Sequence, residues 1–328
     1  MTTSSSESTE EYESSPSSTS TSESSNSSSG MEGTFTLVGR VEGVSESPVW
    51  CFASRTEGDT RTVYAGTGPN GVVLESTDLT TWSTFTTVGD CHVRALFHWA
   101  NALFIGTQPK GRIYVHNFTT DQEYLFVETE DETVTAFAEY NGKFYAGTSP
   151  AGIVYSFDGA IWKEEHRPYG NGVTSMVGTA DGLFVFSLMA EGPVVYNGNK
   201  WMTVPVKNAQ QVQTVASHRA VLGGIHGSSG AIAIDPVEMN VEGIGLISGE
   251  DIKAVGPVSP QFNIATAIQS SSGVMFGGLD NGIVTAMQGG TLVKAFDVGT
   301  EVIALTNIAD GIVMAASKDT IFLAKEGV

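Results

Sequence analysis

A hairpin sequence that recurs along the chain constrains its fold more than any other feature. Its strongest form is Gly-Thr-x-Pro-x-Gly, which occurs three times and is followed each time by a short apolar run. Four weaker copies come after it. The seven stretches are residues 63–76, 103–116, 144–157, 183–197, 220–235, 274–287 and 312–324. The series predicts that one small structural unit is repeated along the chain.

The spacing of the copies gives the size of the unit. Gly66 and Gly106 are 40 residues apart, and Gly147 follows 41 residues later. One interval is longer, at 54 residues, and contains an insertion within 236–262. In this alignment the equivalent residues are Gly66, Gly106, Gly147, Phe186, Gly223, Gly277 and Ala316.

Each copy is one part of a longer pattern of short strands. A run of β-branched and small residues precedes it, as at 93–97, 134–138 and 173–177, and a turn with an aromatic strand often follows it. The turn at Pro69-Asn70-Gly71 and its two counterparts fit type I geometry. No helical periodicity of useful length is present.

A four-stranded unit every forty residues is typical of a β-propeller blade. One blade cannot bury both of its faces, so the blades must stack radially. We therefore predict an all-β fold, a seven-bladed β-propeller over residues 33–328. Six or eight blades remain alternatives, because the 54-residue interval could contain an extra hairpin or a degenerate blade.

The two ends of the propeller sequence complement each other. The last repeat supplies three obvious strands, at 301–306, 311–317 and 320–326, whereas the run at 34–41 precedes the first repeat without a partner. We predict that 34–41 is the outer strand of the last blade. Such a strand closes the ring and removes an exposed sheet edge.

The N-terminal residues 1–32 have a different composition. The first thirty contain fifteen serines, five threonines and five glutamates, with no lysine or arginine. Tyr12 is their single aromatic residue. Such a segment cannot bury enough apolar surface to offset its ordering entropy, so we expect a disordered acidic arm. It is either a solubilising spacer or an arm that becomes ordered on a partner.

Two turns resemble a known repeat family. Ser76-x-Asp78-x-x-x-Trp82 and Ser156-x-Asp158-Gly159-x-x-Trp162 are similar to shortened Asp-box turns of sialidase-type and photosystem-assembly-factor-like propellers. The Gly-Thr-x-Pro-x-Gly hairpins also resemble those of phage-encoded propeller proteins. The resemblance covers 33–328 as a repeat pattern. It implies a propeller whose Asp-box residues stabilise turns and are not catalytic.

The charge of the chain excludes several function classes. The formal net charge is −20, because 36 acidic residues outnumber 16 lysines and arginines. An acidic body repels phosphate backbones and anionic lipid, so neither nucleic acid nor a membrane is an expected partner. No stretch of eighteen apolar residues and no signal sequence is visible, which favours a virion or cytoplasmic location.

Signatures of catalysis, metal binding and cofactor binding are missing from the sequence. The seven arginines occupy unlike repeat positions, so a sialidase-like arginine cluster is not expected. Arg94 could face the central channel, where we expect a structural ion pair. The histidines form no zinc pattern, and Cys51 and Cys91 are expected to be free thiols. We therefore predict no catalytic, metal or cofactor site.

Binding is the function that remains. Trp99 and Tyr140 occupy matching hairpin tips in neighbouring repeats, where exposed aromatic residues would suit a protein or glycan partner. Packing beneath an adjacent loop is the alternative for both. Together with Tyr12 they are the candidate partner-binding residues. The prediction is a non-enzymatic platform, a phage tail or capsid accessory protein that docks through its arm; a glycan-binding or sialidase-like propeller is the alternative.

Overall fold

The computed structural model describes residues 35–41, 48–89, 91–168, 171–188, 193–203, 212–217, 221–225, 231–234, 245–248, 251–254, 264–269, 275–279, 282–288, 291–309, 312–316 and 320–326. The regular elements in these residues are all β-strands. The predicted arm, with Tyr12 and the boundary at residue 32, lies outside the described residues.

The first strand of the described residues is β1 (Phe35–Val41), and four four-stranded antiparallel sheets follow in sequence order. Blade 1 contains β2 (Val49–Glu57), β3 (Thr60–Thr67), β4 (Val72–Ser76) and β5 (Ser83–Thr87). Blade 2 contains β6 (His92–Trp99), β7 (Ala102–Gln108), β8 (Arg112–Asn117) and β9 (Gln122–Glu128). Blade 3 contains β10 (Thr133–Tyr140), β11 (Lys143–Ser149), β12 (Val154–Phe157) and β13 (Trp162–His166). Blade 4 contains β14 (Asn171–Gly178), β15 (Leu183–Leu188), β16 (Val194–Tyr196) and β17 (Trp201–Thr203).

The second half contains smaller sheets. Blade 5 pairs β18 (Val212–Ser217), β19 (Val221–Ile225) and β20 (Ala231–Ile234), and β20 contacts a separate hairpin of β21 (Gly245–Ser248) and β22 (Asp251–Ala254). Blade 6 contains β23 (Ile264–Gln269), β24 (Met275–Leu279), β25 (Ile283–Gln288) and β26 (Thr291–Asp297). The last strands are β27 (Ala304–Ala309), β28 (Ile312–Ala316) and β29 (Ile321–Glu326). The insertion within 236–262 therefore holds a hairpin.

The first strands of the sheets form a closed ring. In chain order they are β2, β6, β10, β14, β18, β23 and β27, and each contacts the next. The last of them, β27, contacts β2. This arrangement is that of a β-propeller, with the first strand of each blade next to the axis, and it fits seven blades.

The predicted closure by the N-terminal run is confirmed. The last sheet has the strand order β1-β29-β28-β27, so β1 is its outer strand. It pairs antiparallel with β29 from Phe35 opposite Glu326 to Val41 opposite Ile321. Leu37 packs against a buried cluster that includes Phe296 and Phe322. The two ends of the propeller sequence thus share one sheet.

The repeated glycine and threonine are structural. Gly106 pairs with Ala95 of its own blade. The position where a Cβ of Gly106 would lie is next to Val134 of the next blade. Thr67, Thr107 and Thr148 are buried, and each Oγ1 lies within hydrogen-bond distance of a carbonyl oxygen across the following turn. The motif therefore closes the turn between second and third strands and allows neighbouring blades to approach.

Two details of the repeat differ from the sequence prediction. Thr214 and Thr266 pair with Gly224 and Gly278, so the equivalents of Gly66 in blades 5 and 6 lie one residue later than Gly223 and Gly277. The reason is that each of these strands carries two adjacent glycines, which the sequence pattern cannot distinguish. The Pro-x-Gly turns are also not type I, since Pro69, Pro109 and Pro150 follow cis peptide bonds.

Candidate binding site

The strand order places two kinds of connection at one end of the blades. Because consecutive strands are antiparallel, the turn between second and third strands lies at the same end as the start of each first strand. In blades 1 to 3 this end carries the turns at residues 68–71, 108–111 and 149–152. We call it the Pro-x-Gly face.

A β-bulge recurs in the first strands close to this face. The pairing register shifts between Val49 and Cys51, and likewise around one residue in the first strands of blades 2 to 6. A bulge leaves its extra residue outside the ladder and re-aims its side chain. The residues at this position are Trp50, Arg94, Thr135, Thr174, Gln213 and Ala265.

In blades 3 and 4 the bulge side chains contribute to the fold. The hydroxyl of Thr135 lies 2.7 Å from the carbonyl oxygen of Val173 in the next blade and 3.1 Å from that of Gly147. The hydroxyl of Thr174 lies 3.2 Å from the carbonyl oxygen of Phe186. These hydrogen bonds link strands and use the one proton that each hydroxyl could donate to a ligand.

Blades 1 and 2 use the same position differently. The guanidinium of Arg94 lies over the Trp50 ring, 4.0 Å from its centroid, in a cation–π contact. The Trp50 indole N–H donates to Nδ1 of His92 at 3.2 Å. His92 therefore carries its neutral-state proton on Nε2, where it can donate. All three side chains are partly exposed, and we call them the Trp50–Arg94–His92 cluster.

The expected ion pair of Arg94 is not found among the described residues. None of the ion pairs in that part of the chain includes Arg94. Burial lowers the pKa of its guanidinium, and proximity to the Cys51 thiol opposes that effect. Within the described residues the neighbouring bulge brings an indole to this guanidinium, and an ion pair of Arg94 stays a prediction.

A cleft of about 480 Å³ lies next to the cluster. It is bordered by the two Pro-x-Gly turns of blades 1 and 2 and by the start of β6. His92 belongs both to the cleft and to the cluster. The lining residues are Pro69, Asn70, Cys91, His92, Gln108 and Pro109.

Neither of the two cysteines near this region, Cys51 and Cys91, forms a disulfide. Burial raises the pKa of Cys51 to about 12, even though Arg94 lowers it. Its Sγ lies 3.7 Å from the carbonyl oxygen of Val93. Cys51 is therefore an unreactive neutral thiol at ordinary pH, which suits a packing role.

Two of the predicted partner-binding residues lie at the opposite end of the blades. Trp99 is half-buried among aromatic rings, with centroids 6.0 Å from Phe104 and 5.9 Å from Phe144. Tyr140 is only 9% exposed and meets Tyr196 edge to face at 6.1 Å. Tyr140 is thus not the exposed aromatic residue that was expected, because it packs against Tyr196 of the next blade. Tyr12 lies outside the described residues, and partner binding by any of the three stays a prediction.

The two Asp-box-like turns hold their own backbone. The Asp78 carboxylate accepts the N–H groups of Thr80 and Thr81 at 2.8 and 2.7 Å, and these bonds hold its pKa well below the usual value. Asp158 accepts from Ala160 and Ile161 in the same way. Both carboxylates therefore act as turn acceptors.

Sequence reasoning mentioned Arg94 but overlooked Trp50 and His92. The available signal was the residue that follows the first apolar residue of each first strand, which reads Trp, Arg, Thr, Thr along blades 1 to 4. Within the described residues, no group of three metal-ligating side chains and no membrane-spanning helix is present.

No family model and no curated protein matches the chain. Solved structures do. The WD40 β-propeller domain of Doa1 superimposes with a TM-score of 0.69 at 10% identity, over 89% of this chain and 97% of that one. YCF48 bound to D1 peptide gives 0.65 at 11% identity, over 91% and 96%.

A third likeness involves a longer protein. The extracellular domain of BT4673 from B. thetaiotaomicron matches with a TM-score of 0.65 at 17% identity. The match covers 88% of this chain but only 39% of that domain. Structural matches at such low sequence identity support a shared fold but not a shared activity. Together with the closed ring of first strands, they establish that the chain folds as a β-propeller.

Proposed function

We propose that the propeller is a non-enzymatic platform that binds a protein segment at the Pro-x-Gly face, in the cleft between blades 1 and 2. One observation carries the proposal. The bulge position that supports the fold through Thr135 and Thr174 is occupied in blades 1 and 2 by Trp50 and Arg94, which are linked to the cleft through His92. A departure from a structural repeat at two adjacent positions is typical of a binding site.

The residue types also favour protein recognition. Tryptophan and arginine are the residues most enriched at binding hot spots. The rigid turns on both sides of the cleft lower the entropy lost on binding. A propeller of similar fold has been solved bound to a peptide, and another within the mitotic checkpoint complex. These structures are compatible with a platform role.

The other described arginines support the non-enzymatic proposal. Arg55, Arg112 and Arg167 each pair with a glutamate on the surface, and Arg61 donates to Thr56. A sialidase-like site needs several arginines that converge on one carboxylate. The described residues favour a single cationic anchor, so glycan hydrolysis is the weaker candidate.

Selection of peptides from a random 12-residue display library tests the platform. Selected peptides should bind the full chain saturably and lose at least tenfold in affinity to Asn70→Arg, which crowds the cleft. Thr80→Arg is the matched control, since it adds the same charge to an exposed turn of the same blade at the opposite end. Equal effects of both variants, an empty selection, or turnover of sialosides would contradict the proposal.

The narrower proposal is a virion protein that docks through residues 1–32. A chain that lacks this arm should fold normally but fail to join the particle. The arm and the cleft are tested separately, because Asn70→Arg leaves the arm unchanged.

A further inference from the structure

Arg94 is a cation for which the described part of the chain shows no carboxylate partner. Arg94 is desolvated at the bulge of β6, yet the described residues offer it an indole and a thiol and no carboxylate. This is unusual in a chain with a net charge of −20. A partly desolvated charge with no counter-ion among the described residues is costly, and an anionic ligand would relieve that cost.

The contacts of Arg94 leave its hydrogen-bonding capacity available. The Trp50 ring contacts the guanidinium through its π face, and such a contact uses none of the five N–H donors. The planar fork of donors matches a carboxylate, which it can bind with two parallel bonds. Because Nδ1 of His92 accepts the Trp50 N–H, the Nε2–H group of this cleft-lining residue is a second possible donor.

The single cation of the cluster favours a carboxylate over a phosphate as the ligand. The cluster contains one guanidinium, and its planar fork of donors matches a single carboxylate. A phosphate carries nearly two negative charges at neutral pH and would meet an acidic body with only one cation near it. The cleft is bordered by turns on both sides, at Pro69 and at Pro109, so a segment can pass through it without ending there.

We infer that the Trp50–Arg94–His92 cluster binds the side-chain carboxylate of a glutamate or aspartate in a segment that lies in the cleft. The inference rests on the proposed platform function and names the chemistry of its partner, an uncharged stretch with one acidic residue. Arg94 forms the ion pair, Trp50 positions the guanidinium, and His92 donates to the second oxygen or to the segment backbone.

Capped peptide libraries test this inference on the full chain. Heptapeptides with an acetylated N-terminus and an amidated C-terminus carry a central glutamate, and the other positions are randomised among uncharged residues. A second library has glutamine at the centre. A third has phosphoserine, and a fourth has glutamine with a free C-terminal carboxylate. Retention on the immobilised chain is quantified by mass spectrometry.

The wild-type chain should retain the glutamate library about tenfold to hundredfold better than the glutamine library, as charge-assisted bonds allow. Arg94→Met, which keeps the aliphatic stem, should abolish the preference for glutamate over glutamine. Arg94→Lys should give an intermediate preference. Arg112→Met is the matched control, because that arginine is already paired with Glu128. Circular dichroism melting confirms folding, and Trp50→Phe provides a second variant with altered stacking.

Several outcomes overturn the inference. Equal retention of glutamate and glutamine peptides would show that the site does not recognise a carboxylate, although the chain could still be a peptide-binding platform. A stronger preference for phosphoserine or for the free C-terminus would assign the site to another anion. A glutamate preference that survives Arg94→Met would show that Arg94 is not the anchor. Retention of no library would contradict the platform itself.

Discussion

Gly147 lies against Val173 of the next blade so closely that a methyl group on Gly147 would stand 2.5 Å from Cγ1 of the valine. The same relationship recurs between Gly66 and Val93, at 2.5 Å. The repeated glycine therefore lies where the second strand of one blade packs against the first strand of the next. Its conformation is not the reason for glycine here, since it is the absence of a side chain that permits the approach.

Gly147→Ala should destabilise the propeller by about 1–3 kcal/mol, the usual cost of overpacking a core. Chemical denaturation measures the effect. The Val173→Ala background is the matched control, because it removes Cγ1, the nearest atom to the new Cβ, and leaves Cβ of residue 173 at 2.9 Å and Sδ of Met176 at 3.2 Å. In that background the added cost should be smaller. Equal costs in both backgrounds would show that the glycine is required for another reason.

Thr148→Val tests the buried turn. The Thr148 hydroxyl lies 2.8 Å from Oδ2 of the buried Asp131 and also accepts the N–H of Ile153 at 3.1 Å. Its loss leaves these groups short of partners, so we expect a cost of about 1–3 kcal/mol. Thr107→Val should cost less, because the bond of Thr107 runs to a carbonyl oxygen of Arg112. Urea denaturation of both variants makes the comparison, and a larger cost for Thr107→Val would contradict it.

The sequence predicted the architecture because propeller blades repeat their packing contacts. Gly106 and Thr107 must recur wherever one blade packs on the next, so the period was visible without a structure. The pairing of 34–41 followed from counting strands in the last repeat. The register in blades 5 and 6 was missed by one residue, since adjacent glycines such as Gly223 and Gly224 offer the same absence of a side chain.

The candidate site was harder to predict because it is an exception to the repeat. Trp50 and Arg94 come into contact because each is the extra residue of a β-bulge, outside the regular strand pairing. The bulges themselves could not be predicted from the sequence. The expectation of exposed aromatic residues at the hairpin tips does not hold for Tyr140. Tyr140 is buried because the Tyr196 ring of the next blade lies beside it.

Asp78→Asn should reduce stability at neutral pH and have less effect in acid. Bonds from the Thr81 and Thr80 N–H groups hold the pKa of the folded carboxyl below its unfolded value. A depressed pKa gives stabilisation that is present above the unfolded pKa, about 3.9, and is lost as the pH falls through the folded pKa. Urea midpoints of wild type and variant at pH 7, 5, 4 and 3 should therefore converge toward the lowest pH.

Asn117→Asp is the reciprocal control. Asn117 occupies the corresponding turn of blade 2 and accepts the N–H groups of Thr119 and Thr120 at 2.8 and 3.2 Å with a neutral side chain. The new carboxylate should make this variant more sensitive to acid than the wild type. A difference that stays constant with pH in both variants would mean that the charge of the acceptor is immaterial.

The closure of the ring can be tested by truncation. A chain without residues 1–32 keeps β1 and should melt within about 2 °C of the full chain, as expected for an arm outside the core. A chain without residues 1–41 loses the outer strand on β29 and the packing of Leu37, and exposes a sheet edge. It should melt at least about 5 °C lower. A synthetic peptide of residues 33–44 should restore part of the loss, whereas a scrambled peptide should not; equal melting of the two truncated chains would mean that the seventh sheet does not depend on its N-terminal strand.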